Sequence, residues 1–217
     1  MNMFFRKSVI AVTGLFLCVF IHLSANLLLL LPEATARGLY NSYSATLRGN
    51  PLKTIVAYLL YLSIISHAIY AAIITFKNHR SKEDRYVINR KNENSTWSSQ
   101  NIKNLGKLIL IFIVVHLVNF WAKVKLGIGE NVGLDNAGNE DVYEIAITLF
   151  QNVYFVIFYA LLMIPLGFHL HHGLKSAFKT LSYYQKKELS VLAKISSFYA
   201  IIISADFGII PLILYFK

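Results

Sequence analysis

The sequence holds one cysteine in 217 residues and only four prolines. A lone thiol, Cys18, excludes a disulfide framework and a thiolate metal cluster. Carboxylates are scarce as well: 11 Asp and Glu stand against 21 Lys and Arg, a formal net charge of +10. No glycine-rich phosphate loop, no Ser-His-Asp grouping and no solenoid repeat is present. Little remains on which a soluble nucleotide-binding enzyme or a hydrolase could be built.

Apolar sequence is what the chain has in quantity, at 56% hydrophobic residues and a mean hydropathy of +0.52. Runs at Val9–Leu31, Ile55–Phe76, Leu105–Ala122, Ile145–Leu170 and Ile195–Tyr215 each approach the ~20 residues that a helix needs to cross ~30 Å of hydrocarbon. Stretches such as "LLLLL" at 27–31 are apolar around the whole helix rather than along one stripe, and none alternates with the period of a barrel strand. The expected fold class is all-α: an integral membrane bundle of five transmembrane helices, one domain over residues 1–217. The first run follows Arg6 and Lys7 and ends near Ala34-Thr35-Ala36, in the manner of a secretory signal. It exceeds the roughly 7 to 15 apolar residues of a signal core, so it reads as a span.

With five spans the loops alternate sides, and 15 of the 21 Lys and Arg fall on the side of the N-terminus, Lys77–Lys107 and Lys175–Lys194. The positive-inside rule then places the N-terminus in the cytoplasm, and the expected location is a bacterial inner membrane. The basic excess is read as orientation and lipid contact, with no nucleic acid partner; the inner segment Lys77–Lys107 could also receive a soluble protein. The opposite segment, Lys123–Glu144, is acidic and carries Gly127, Gly129, Gly133 and Gly138, and it reads as a solvated loop.

Six of the seven histidines lie within or at the end of a span: His22, His67, His116, His169, His171 and His172. Ionisable groups inside a bilayer are costly, so each is a functional candidate. Distances to the flanking charges sort them by depth. His22 is 15 residues from Lys7 and 10 from Pro32, and His116 is 13 from Lys103 and seven from Lys123; both belong to the outer half. His67 is 14 from Lys53 and 10 from Lys77, and His169 is 25 from Glu144 and six from Lys175; both belong to the inner half. Two pairs of neutral imidazoles from facing helices suit bis-histidine haem iron. Zinc would want four ligands, usually with Cys, Asp or Glu among them. Ala71 and Gly173, each one turn from a histidine, would leave room for a flat macrocycle.

At "FIHLSANLLLL", "NPLKTIVAYLLYLSIISHAIYA", "VVHLVNFWAK" and "GFHLHHGLKSAFKTL" the chain resembles the di-haem cytochrome b membrane anchors of succinate:quinone oxidoreductases, the succinate dehydrogenases and fumarate reductases, in their Bacteroidetes-like branch. The resemblance covers nearly the whole chain. It implies a non-catalytic electron-transfer subunit with two haem b groups, the distal iron held by His22 and His116 and the proximal iron by His67 and His169. It further implies a flavoprotein subunit and an iron-sulfur subunit on the cytoplasmic face, with menaquinone or ubiquinone in the membrane. Within the histidine trio, the family pattern H-x-x-x-G-L begins at His169, leaving His172 as a neighbour and His171 as interfacial. The acid that some members carry near the outer end of the second span has no counterpart between Glu33 and Glu83. Asp206, the one acid inside a span, is expected either to handle protons or to pair with Ser204 or a neighbouring helix. Two other readings remain open: a di-haem cytochrome b of a hydrogenase or formate dehydrogenase, and a metal or proton transporter lined by histidines.

Overall fold

The structure, a computed structural model, describes the backbone of residues 3–80, 96–129, 132–181 and 186–217, and the side chains of 15–77, 96–129, 132–179 and 190–217. The described elements are α1 (Met3–Asn26), a 3-10 turn (Leu27–Leu30), α2 (Glu33–Gly49), α3 (Pro51–Arg80), α4 (Trp97–Leu117), a π-helical segment (Val118–Ala122), α5 (Lys123–Leu126), α6 (Val142–Phe150), α7 (Val153–Leu181) and α8 (Lys186–Tyr215). Among the described residues there is no strand beyond an isolated bridge between Leu134 and Glu140.

Four stretches are long and apolar enough to cross a membrane: Pro51–Lys77, Trp97–Leu126, Val153–Lys179 and Ser190–Tyr215, with mean hydropathies of 1.9 to 2.0. The chain therefore has multi-pass transmembrane character. In the first run, only Leu15–Leu30 lies in the part with described side chains; it is apolar but shorter than a span. Across the most apolar windows of the four stretches, between none and 28% of the residues are buried inside the protein. That inside-out distribution is what lipid as solvent requires, since each helix already satisfies its own backbone hydrogen bonds.

Helix boundaries follow local chemistry. Asn50 accepts from the backbone N–H groups of Leu52 and Lys53 at 3.0 and 3.2 Å, with Pro51 as the first residue of α3, a favoured start because proline lacks the N–H that would go unsatisfied. Thr96 accepts from the Ser99 N–H at 3.3 Å and caps α4. Gly127, at φ +62°, ends α5 in the left-handed region that costs glycine little. The apolar run expected as one span at Ile145–Leu170 is in fact broken: α6 ends at Phe150, and α7 begins at Val153 after Asn152 accepts from the Tyr154 N–H at 2.9 Å. Hydropathy does not register such a break, because both sides of it are apolar.

The most extensive interface joins α7 to α8. Its close point is Gly167, where an added Cβ would lie 2.8 Å from Ser204 Oγ and 3.2 Å from Ser204 Cβ. Small residues let membrane helices approach in this way, and dispersion then replaces the hydrophobic driving force that lipid removes. Gly167→Ala is expected to destabilise the folded protein by about 1–3 kcal/mol through overpacking, and adding Ser204→Gly should recover part of the loss. Denaturation midpoints in one detergent decide it; a wild-type midpoint for the single variant would contradict the close contact. From this interface the core continues through Phe16 and Leu23 of α1 to Tyr143, Ala146 and Phe150 of α6.

One end of the bundle carries a polar cap, and here the expectation of a solvated loop at Lys123–Glu144 holds for most of its described residues but not for residues 141–143, which are buried. Asp141 is buried. Its carboxylate pairs with Arg37 of α2, accepts from Asn41 Nδ2 at 2.9 Å and caps α6 through the Glu144 N–H at 3.2 Å. Asn41, wholly buried, accepts in turn from the Tyr143 N–H at 2.9 Å. Arg37 also reaches Glu144 at 2.7 Å and Glu33 at 3.2 Å. These carboxylates hold the guanidinium above its usual pKa despite the opposing cost of desolvation, so Arg37 stays charged at any working pH. Lys217 Nζ donates to the Leu29 carbonyl at 2.8 Å and lies 5.5 Å from the Tyr143 ring centre, tying α8 to the same cap.

Candidate functional site

The bundle brings four histidines from four helices into two ring pairs. His22 of α1 and His116 of α4 have centroids 5.7 Å apart with planes at 85°. His67 of α3 and His169 of α7 have centroids 6.2 Å apart with planes at 88°. His171 and His172 enter no ring pair among the described residues. Two imidazoles on opposite sides of one metal, each bonded at about 2 Å, need ring centres a little over about 6 Å apart once the distance from nitrogen to ring centre is added. The His67–His169 separation of 6.2 Å is close to that spacing, and the His22–His116 separation of 5.7 Å is shorter. Among the described residues no group of three or more His, Cys, Asp or Glu is placed to hold a metal ion. Each pair brings together two imidazoles and no third side chain of these types.

The surroundings of the two pairs differ. His116 sits in an aromatic shell of Phe112, Phe120 and Tyr159, with centroids at 5.7, 5.0 and 6.1 Å. His22 lies 5.7 Å from the Phe207 ring of α8, and its Nε2 is 3.4 Å from Asn26 Nδ2, which donates at 2.8 Å to the His22 carbonyl. Nδ1 of His116 and of His169 is enclosed without a hydrogen-bond partner. His67 lies on α3, which packs lightly against α1, α2 and α4, so more of its surface is open than that of His169.

Directly after His116, α4 widens into the π-helical segment Val118–Ala122. Such bulges inside helices occur often at functional sites. Here the bulge accompanies a hydrogen bond from Asn119 Nδ2 to the Tyr159 hydroxyl at 3.1 Å, which fixes α4 to α7 beside the His116 ring.

The small residue expected beside His169 is not the one the structure supplies. An added Cβ on Gly173 would meet Phe16 Cζ at 3.3 Å, so the missing side chain makes room for α1 and not for a macrocycle. Gly106 of α4 faces His169 instead, with His169 Cε1 3.9 Å from the position of an added Cβ. Gly106→Ala should therefore be neutral, whereas the branched side chain of Gly106→Val should displace the His169 ring. The check is ligand occupancy at the inner pair in the two variants; equal occupancy would contradict this placement. Of the two roles expected for Asp206, pairing with Ser204 is not what is seen. Ser204 Oγ donates back to the Ala200 and Ile201 carbonyls at 2.7 and 3.3 Å.

A cavity of about 310 Å³ opens beside the His22–His116 pair, under the cap formed by α2 and α6. It is within the range of roughly 300–1,000 Å³ typical of small-molecule sites. His22 and His116 line it with Tyr40, Tyr58, Tyr61 and Trp121, and Arg48, Lys53 and Lys125 also border it. Burial pushes the Tyr40 phenol up to about 12, so it stays a neutral donor. Neither the tyrosines nor these cations were singled out from sequence; the cations read there only as span edges. Comparison with protein-family models, with curated proteins and with solved structures gives no match to this chain.

Proposed function

We propose that this chain is a di-haem membrane cytochrome b, an electron-transfer subunit of a succinate:quinone oxidoreductase complex. The reading rests chiefly on one observation: four helices contribute one histidine each, and the four rings form two separate pairs at 5.7 and 6.2 Å. His22 and His116 would hold the distal haem iron, and His67 and His169 the proximal one. Bound there, haem supplies one-electron transfer. The chain's own part would be to supply the imidazoles and to pack the aromatic rings of Phe112, Phe120 and Tyr159 around His116.

In this reading five helices span a bacterial inner membrane with the N-terminus inside. Electrons pass between an iron-sulfur subunit, itself served by a flavoprotein subunit, and menaquinone or ubiquinone. A reduced-minus-oxidised visible spectrum of the purified chain tests the cytochrome: two b-type components are expected, and a protein without them is no cytochrome and would point to histidine-lined transport. Copurification tests the complex. A flavoprotein and an iron-sulfur protein should accompany the chain, and a nickel or molybdenum enzyme in their place would assign it to another oxidoreductase.

A further inference from the structure

Among the described residues, every charged residue lining the cavity beside His22 and His116 is a cation: Arg48, Lys53 and Lys125. Arg48 has its own counter-charge in Glu140 at 3.0 Å. Lys53 and Lys125 make no ion pair with the described residues. Lys53 is the less expected of the two. It stands in the first turn of α3, where the helix dipole is already positive and a cation is unfavourable. The N–H groups of that turn donate to Asn50, and as donors they give the ammonium no acceptor. Two unmatched ammonium groups, an aromatic wall and an imidazole pair thus share one cavity. That combination fits a flat apolar ligand that binds a metal at its centre and carries negative charge on one edge.

We infer that Lys53 and Lys125 hold the carboxylate edge of the ligand that His22 and His116 bind, and so orient it with its acidic side toward the cap formed by α2 and α6. The inference rests on the di-haem reading, in which the acidic edge is the pair of haem propionates. Arg48 is already matched and is the lesser contributor. Removing both ammonium groups leaves the carboxylates with less counter-charge, Arg48 being already matched by Glu140. Adding an electron beside that less compensated negative charge becomes harder.

The test is a potentiometric titration of the whole purified chain, followed in the visible spectrum, for the wild type, Lys53→Gln with Lys125→Gln, and Lys53→Arg with Lys125→Arg. His22→Ala identifies which component belongs to this cavity. In the double Gln variant that component should shift to lower potential or be lost, while the other stays where it was. The double Arg variant should stay near the wild type, because the charge is kept. An unshifted cavity component, a shift in the other component, or loss of both components would overturn the assignment of these lysines and leave the di-haem reading standing on its wild-type spectrum. A wild-type protein without haem would overturn both.

Discussion

His169→Ala is expected to remove one of two b-type components from the reduced-minus-oxidised spectrum and to leave the other, halving the haem content. His67→Ala should remove the same component, and His22→Ala and His116→Ala should each remove its counterpart. The pairing follows from the ring centroids: 6.2 Å separates His67 from His169, and 5.7 Å separates His22 from His116. An axial ligand contributes half of the protein's bonds to such an iron, so its loss abolishes stable binding rather than weakening it. Potentiometric titration of the four variants checks this. Loss of the same component from His169→Ala and His22→Ala would break the pairing. Loss of haem from His172→Ala, with both components kept in His169→Ala, would move the ligand along α7.

The second large effect is expected at the cap. Asp141→Ala removes one of the three carboxylate partners of Arg37, the cap of α6 and the acceptor for Asn41 Nδ2 at once. Losing a cap costs about 1 kcal/mol, and stranding a buried amide donor costs about 1–3 kcal/mol. The ion pair adds less than a fully buried one, because 32% of the Arg37 side chain is exposed to screening. Together these predict a loss of about 2–4 kcal/mol in Asp141→Ala, and a smaller loss in Asp141→Asn, which keeps the acceptor oxygen. Chemical denaturation in detergent reads the total, and a variant within about 0.5 kcal/mol of wild type, the usual range for surface changes, would show that the cap does not hold the bundle. The position of the damage is diagnostic as well. The cap roofs the cavity through Tyr40, Arg48 and Val142, so the component that His22 binds should weaken while the His67 and His169 component is spared.

The long helices were legible from run length alone, because about 20 apolar residues in succession have few solutions other than a membrane helix. Which histidines meet was legible from charge spacing, since helices of fixed rise convert residue counts into depth. Three features were not legible, each for a physical reason. Acids in a glycine-rich segment look solvated, and nothing local to Asp141 announces that Arg37, 104 residues away, is waiting for it. The break between α6 and α7 lies within a long apolar run, where only the pair Gln151 and Asn152 marks it. The glycine facing His169 comes from α4 and not from its own helix, so no periodicity around residue 169 points to Gly106.

The sparse packing of α3 has a consequence for the inner pair. The apolar stretch Pro51–Lys77 has 27 residues and none of its most apolar window is buried by protein. At about 1.5 Å per residue such a helix measures about 40 Å, more than the ~30 Å of hydrocarbon in a typical bilayer. The mismatch is relieved by tilting or by local thickening of the lipid. A helix held by few protein contacts takes its tilt largely from the membrane, and tilting α3 carries the His67 ring with it. The contacts between His67 and its neighbours are therefore few on the protein side, and a group bound by both His67 and His169 would tie α3 to α7 where helix packing alone does so only lightly.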